Sequence, residues 1–416
     1  MKMKKNVLLI IPPYKKYGVP LIPIGTLYIA DHLIRNKIEY DILDLNFCYS
    51  YHNTLIKQLT ENAPDFVGIS IRNIAETEHL NSIYKQLCDI VTVSKASAKV
   101  VLGGAGFSIF PKEIMKMTGA DFGIIGPGEV SFLELINSVN SATSESIIIG
   151  TEDTFPSSDI SLSLLRYWEK YGKFFLHSEV DIPIQTTRGC KYSCEYCTYP
   201  LISNYSVQKR PVQKVVSEIE KIIAATENRQ FCFVDSVFNM DLDYCKELLC
   251  YIINKKVDIK WRCTINPIKY DDELFTLMKR SGCSYCEVGI DSLSNIMLEK
   301  MNKGYNVSMA EMMLYKLESY NIPYSLSLIM GGYGETKRSL TETMNIIMQH
   351  DIDKVNVFLG ERIYPGTPLA KKLNRDTEEL LYAGEKSIYL ESSIIDLLKT
   401  LVNSNMKNWT FIGGKL

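Results

Sequence analysis

Short apolar runs separated by segments of helical spacing dominate this chain, and they leave few folds open to it. VLLII (7–11), EYDILDL (39–45), FVGISI (66–71), AKVVLGG (98–104) and FGIIG (122–126) read as strands, with helical patterns at 24–36, 78–93 and 130–138. Near-continuous apolar strands alternating with helices predict an α/β fold with a doubly wound, Rossmann-like parallel sheet covered on both faces. The rhythm breaks over 140–180, a Ser/Thr-rich stretch (SATSES, TEDTFPSSDISLS) that reads as a linker with one short helix at 162–171. It resumes with IPIQT (182–186), FCFVD (231–235), IKWRC (259–263), YCEVGI (285–290), YSLSLIM (324–330) and KVNVFL (354–359). Helical segments at 212–225, 244–254, 272–281, 309–320 and 337–350 separate these strands. Six sequential β/α units predict a partial, TIM-like (β/α)6 barrel with its chemistry at the carboxyl ends of the strands. The expected organisation is a first domain at 1–145, a linker at 146–180, a barrel at 181–375 and a helical extension at 376–416. In that extension 376–384 and 394–404 read as helices before the closing WTFIGGKL, and the extension as a whole reads as a cap over the barrel or the substrate entrance.

Charge and cysteine usage narrow the setting. The 416 residues carry 46 basic and 48 acidic side chains, a net charge of −2, with no long run of either sign. Nothing in this balance argues for a nucleic acid or an anionic membrane as partner. The apolar run after the basic start is only Val7 to Ile11, too short for a secretory core, and no stretch approaches the ~18 residues of a membrane span. The expectation is cytoplasmic. The eleven cysteines are irregularly spaced. Cys48, Cys88, Cys232, Cys245, Cys250 and Cys263 fall in apolar segments, where free cysteine behaves as a small hydrophobe. A disulfide framework belongs to short secreted chains.

TTRGCKYSCEYCTYP (186–200) is different, with Cys190, Cys194 and Cys197 spaced CxxxCxxC. Structural zinc takes four protein ligands, and Cys283 with Cys286 would supply a second pair. That pair opens a strand, however, where residues three apart are expected to point to opposite faces. An iron–sulfur cluster fits better: full protein ligation of a cubane takes four thiolates, so three leave one iron open. The loop also follows the first strand of the barrel, on the active-site face.

CxxxCxxC after a first barrel strand, with Tyr196 before the third cysteine, resembles the radical S-adenosylmethionine (SAM) superfamily. The resemblance implies a [4Fe–4S] cluster on Cys190, Cys194 and Cys197 whose open iron chelates the amino and carboxylate groups of SAM, which an electron then cleaves to a 5′-deoxyadenosyl radical. Further segments are similar to those of the family. Glu287–Ser292, with Gly289 and Asp291, resembles the segment flanking the adenosine; Asp235 and Ser236 end the second strand, and Arg262 and Asn266 surround the third. MGGYGET (330–336) and RIYPGTP (362–368) are similar to turns after the fifth and sixth strands, and they offer Tyr333, Glu335, Arg362 and Tyr364 to a substrate. The family's GGE stretch after strand two is absent; 231–238 stands in its place.

The first domain resembles the cobalamin-binding domain fused to many radical SAM enzymes. The matching residues are 66–73 with Arg72 and Asn73, 103–111 with Gly103, Gly104, Gly106 and Phe107, and 126–129 with Gly126, Gly128 and Glu129. Glycines there would admit a broad corrin to the backbone. None of the five histidines (His32, His52, His79, His177, His350) lies in the Asp-x-His-x-x-Gly motif that ligates cobalt elsewhere. Arg72 or Asn73 would then line the lower face of the corrin, and a protonated guanidinium has no lone pair to give.

Together these resemblances imply a cobalamin-dependent radical SAM methyltransferase that methylates an unactivated carbon of a small molecule or peptide. The same cofactors in a radical cyclisation, ring contraction or rearrangement are the alternative. A non-catalytic iron–sulfur or corrinoid-binding protein is the alternative of another class. The expected partners are the substrate and an external flavodoxin- or ferredoxin-like electron donor.

Overall fold

The computed structural model describes residues 5–13, 20–72, 80–138, 146–151, 155–175, 180–352, 354–375, 380, 387–404 and 406–413. They form two compact units, Met1–Ile182 with Lys209–Asn228, and Pro183–Gln208 with Arg229–Leu416.

The first unit is built on six parallel strands: β1 (Asn6–Ile11), β2 (Glu39–Asp44), β3 (Phe66–Ser70), β4 (Lys99–Gly103), β5 (Phe122–Ile125) and β6 (Ile147–Ile149), in the order β2-β1-β3-β4-β5-β6. Val7 to Ile11 are all buried, as a strand covered on both faces requires. The order reverses between β1 and β3, and the crevice outside such a switch point is where doubly wound sheets take ligands. β6 lies in the stretch read from the sequence as linker, and the short helix expected there spans Ser161–Tyr171. That helix packs on Ile24–Arg35 and on Val212–Thr226. The helix Tyr51–Asn62 gave little sequence signal because its buried stripe is only Leu55 and Leu59.

The second unit is a seven-stranded parallel sheet in sequential order: β7 (Ile182–Ile184), β8 (Gln230–Phe233), β9 (Lys260–Ile265), β10 (Cys283–Asp291), β11 (Tyr324–Met330), β12 (Val355–Leu359) and β13 (Trp409–Gly413). Six of these are the strands expected for a partial barrel. The seventh lies in the extension expected to be helical: Val355–Leu359 pairs in parallel register with Trp409–Gly413 and takes those residues into the sheet. The helix Ile395–Asn403 forms where expected, whereas the one expected at 376–384 lies almost wholly outside the described residues. Between the strands, Asp241, Asp271, Asn306 and Thr336 cap helix N-termini, each side chain accepting a backbone N–H that the first turn leaves free. Among the described residues no helix is long and apolar enough to cross a membrane.

Candidate active site

The cysteine loop leaves the carboxyl end of β7 through Gly189. Its φ is +100°, and a Cβ there would stand 2.1 Å from the Ser206 carbonyl oxygen, so only glycine lets the two backbones pass. The Cys190 N–H then donates to Ser203 Oγ (3.2 Å), and the Cys197 N–H donates to the Cys194 carbonyl (3.2 Å). Burial pushes all three thiols above their ordinary range, Cys197 to about 12, and neighbouring sulfurs add to the rise at Cys190 and Cys197. Three free thiols are thus gathered close enough to feel one another's charge, and iron would displace their protons. Among the described residues no three His, Cys, Asp or Glu side chains close around one ion. A cubane needs no such closure, because each thiolate binds its own iron.

A second set of thiols behaves as core. Cys283 Sγ and Cys286 Sγ stand 3.6 Å apart, contrary to the expectation that they diverge. The cause is a β-bulge: Trp261 pairs with Cys283 and Arg262 with Tyr285, so Ser284 is an extra residue that returns Cys286 to the face of Cys283. Burial pushes the thiols of Cys263 and Cys283 up, Cys263 to about 12, and such buried thiols are unreactive. Cys283 and Cys286 lie early in β10, away from its carboxyl end, and so give no second ligand pair to the 190–197 loop.

The turn after the helix Asn295–Lys300 clasps the cysteine loop. Glu195 N–H donates to the Met301 carbonyl (3.0 Å), and Asn302 Nδ2 donates to the Ser193 carbonyl (2.8 Å) and Ser193 Oγ (2.9 Å). Lys303 lies over the rings of Tyr196 and Tyr305, 5.8 Å from each centroid. Its ammonium pairs with Asp291 Oδ2, which also accepts the Tyr196 hydroxyl proton. Burial works against the charge on Lys303, yet the Asp291 carboxylate outweighs it and holds the ammonium well above its usual value. Asp291 ends β10 with a φ of +67°, a conformation uncommon for non-glycine residues, at a break in register with β11.

The other residues singled out from the sequence divide by what they touch. Asp235 is buried and accepts the N–H of Thr186 (2.7 Å) and Thr187 (3.0 Å); burial pushes its carboxyl to about 6. Ser236 beside it is half-buried. Asn266 is buried: its N–H donates to Asn239 Oδ1 (3.0 Å) and its Oδ1 accepts from Ile268 N–H (3.1 Å). Asp235 and Asn266 therefore shape loops. Arg262 is exposed on β9. Gly289 lies in β10, where the Tyr305 hydroxyl donates to the Ile290 carbonyl beside it (2.6 Å).

At the ends of β11 and β12, Gly331 N–H donates to Glu335 Oε2 (2.5 Å) and Tyr333 N–H to Glu361 Oε2 (2.9 Å). Burial pushes both carboxyls to about 7. Glu335 thus folds back onto its own turn. Tyr333 sits edge-on to Tyr389 (5.4 Å), with Lys372 over its ring. The Arg362 guanidinium lies 6.0 Å from the Tyr364 ring, and both residues are half-buried. Sequence reasoning missed Asn302, Lys303 and Glu361; the only signal was polar residues directly after apolar helix and strand ends.

In the first unit Gly104 has φ +95°, and a Cβ there would stand 2.4 Å from the Ile71 carbonyl oxygen. That carbonyl accepts the Gly106 N–H (3.0 Å), and the Ile71 N–H donates to the Gly103 carbonyl (2.8 Å), locking the β3 and β4 loops together. Phe107 is fully buried, its ring filling the space a Cβ on Gly123 would need, so this residue belongs to the core and not to a ligand surface. Gly126 has φ +78° and open space beside it, Gly128 abuts Ile29, and Glu129 is buried at the start of the helix Glu129–Ser138. Arg72 is exposed just beyond β3, and Asn73 lies outside the described residues. The open space at Gly126 leaves room for a ligand at this end of the sheet.

Comparison with known proteins follows the same division. Residues 184–347 match the radical SAM superfamily, and residues 14–136 match the B12 binding domain. An uncharacterized methyltransferase of Pyrococcus horikoshii is 23% identical over 89% of this chain and 83% of its own. The anaerobic magnesium-protoporphyrin IX monomethyl ester cyclase of Rubrivivax gelatinosus is 24% identical over 78% of this chain and 65% of its own. The solved structure of the radical SAM methyltransferase TsrM from Kitasatospora setae, with cobalamin and a [4Fe–4S] cluster bound, superposes with a TM-score of 0.75 at 22% identity, covering 89% of this chain and 78% of that one. The cofactors that go with these two domains are a [4Fe–4S] cluster, SAM and cobalamin. The chain is a cobalamin-dependent radical SAM enzyme, a B12-binding domain fused to a radical SAM domain, with methyltransferases among its relatives.

Proposed function

We propose that this enzyme methylates an unactivated carbon of a small-molecule or peptide substrate. The observation that carries the reading is the thiol count at the β7 loop: three free cysteines spaced CxxxCxxC, in a chain that also holds a B12-binding domain. When bound, the cluster and SAM supply the radical that removes a hydrogen atom, and cobalamin supplies the methyl group that replaces it.

The chain's own residues hold and shape. Cys190, Cys194 and Cys197 would ligate three irons of the cluster, and Gly189 and Asp235 set the path of their loop. Tyr333, Arg362 and Tyr364, at the carboxyl ends of β11 and β12, are the side chains left to meet the substrate, while Glu335 and Glu361 brace the turns that carry them. In the first unit Arg72, exposed beyond β3, or Asn73 after it would line the lower face of the corrin, and a protonated Arg72 would offer cobalt no ligand. A flavodoxin- or ferredoxin-like protein would deliver the electron.

Anaerobic reconstitution should give about four irons per chain, lost in Cys194→Ala. With SAM, a reductant and cobalamin, the protein should form both 5′-deoxyadenosine and S-adenosylhomocysteine, the second only when cobalamin is present. Formation of 5′-deoxyadenosine alone would favour the second reading, a radical cyclisation or rearrangement, which the likeness to a cyclase supports.

A further inference from the structure

Beside the cysteine loop lies a buried ion pair, Lys303 with Asp291, and nothing above gives Lys303 a task. Lys303 and Asp291 are each only 8% exposed, and a charge pair in such a place is costly to desolvate. A Met or Leu at position 303 would fill the same space at no such cost, so the pair is retained for something other than packing. Its surroundings point to the cysteine loop. Met301, Asn302 and Lys303 contact Glu195, Ser193 and Tyr196 in turn, so three successive residues of one turn grip the residues between Cys190 and Cys197. Met297, Met301 and Ile329 pack beneath Tyr196 and close the grip.

We propose that Lys303 is a positioning residue of the iron–sulfur cluster: held by Asp291 and Tyr196, its ammonium fixes a buried positive charge beside the thiolate loop and raises the cluster's reduction potential. Net charge near a cluster is one of the levers that sets its potential, and a charge out of water acts with little screening. Asp291 serves as the anchor: its carboxylate pairs with the ammonium in this interior, and the Tyr196 hydroxyl and the Tyr305 ring keep it there. The inference rests on the cluster being held by Cys190, Cys194 and Cys197.

The test is a redox titration of the reconstituted full chain, followed by the electron paramagnetic resonance signal of the reduced cluster, without SAM. Lys303→Met leaves a buried carboxylate and should move the midpoint potential to more negative values. Asp291→Asn leaves the ammonium and should move it to more positive values, while Lys303→Arg should restore the wild-type potential. A purely structural pair would lower iron content in both variants without shifts of opposite sign. Equal potentials, or shifts in the same direction, overturn the proposal. Should Lys303→Met hold no cluster, the near-isosteric Asp291→Asn carries the test alone, and a potential at or below wild type overturns it. Failure of the wild-type chain to bind about four irons would instead remove the cluster assignment itself.

Discussion

The carboxylate of Asp235 accepts the backbone N–H groups of Thr186 and Thr187 at 2.7 and 3.0 Å, so the end of β8 holds the end of β7 just before the chain enters the cysteine loop. Asp235→Ala would orphan two buried N–H groups at once. At about 1–3 kcal/mol for each unsatisfied group, the loss should be about 3 kcal/mol. Urea unfolding should record it, and iron content after reconstitution should fall with it. Asp235→Asn, which keeps one acceptor, should recover part of both.

The buried carboxyls at the strand ends make stability depend on pH. Burial lifts Glu335 from an ordinary 4.5 to about 7, Glu361 likewise, and Asp235 from 3.8 to about 6. A carboxyl with a higher pKa in the folded chain binds its proton more tightly there. Its contribution is therefore full below the unfolded pKa and is lost as pH rises through the folded one. For Glu335 that window runs from 4.5 to about 7 and spans about 3 kcal/mol. Stability measured in urea should decline across this range, and Glu335→Gln should flatten the decline. An unchanged slope in that variant would show that Glu335 ionises normally in the fold.

Much of this architecture was legible in the chain, because parallel strands buried on both faces must be written as apolar runs, and eleven such runs were visible. What escaped was decided by tertiary pairing. Trp409–Gly413 is made mostly of strand-favouring residues, but a run this short does not name its partner, and its register with Val355–Leu359 takes it into the sheet. Cys283 and Cys286 were placed on opposite faces by strand periodicity, which a single bulged residue at Ser284 reverses. The cysteine motif announced itself because its chemistry depends on local spacing. Lys303 and Asn302 did not, since their meaning comes from contacts more than 100 residues away along the chain.

Gly104 offers a separate test of the first unit. Its φ of +95° and the 2.4 Å approach of the Ile71 oxygen leave no room for a side chain. Gly104→Ala must shift the β4 loop away from β3 or break the hydrogen bond from Gly106 N–H to Ile71. Cobalamin retained on purification, read from the visible spectrum, should drop several-fold, while iron content stays at the wild-type level. Loss of both cofactors together would mean that the substitution unfolds the chain, and Gly126→Ala, where space is open but φ is +78°, should then give the milder, selective effect.

Arg210 and Glu218 form a fully buried ion pair in the first unit, with Nη2 to Oε2 at 2.5 Å. Each also serves the backbone: Arg210 Nη2 donates to the Ser158 carbonyl (2.6 Å), and Glu218 Oε1 accepts the Ile160 N–H (2.6 Å). They thereby tie the helix Val212–Thr226 to the chain entering the helix Ser161–Tyr171. Glu218→Ala leaves a buried guanidinium without its carboxylate and the Ile160 N–H without an acceptor. The expected loss is about 4 kcal/mol, since breaking one side of a buried pair strands the other charge. Replacing both partners, as in Arg210→Met with Glu218→Leu, removes the stranded charge and should cost less than the single change. A double variant less stable than Glu218→Ala would mean that the backbone contacts, and not the uncompensated charge, dominate at this site.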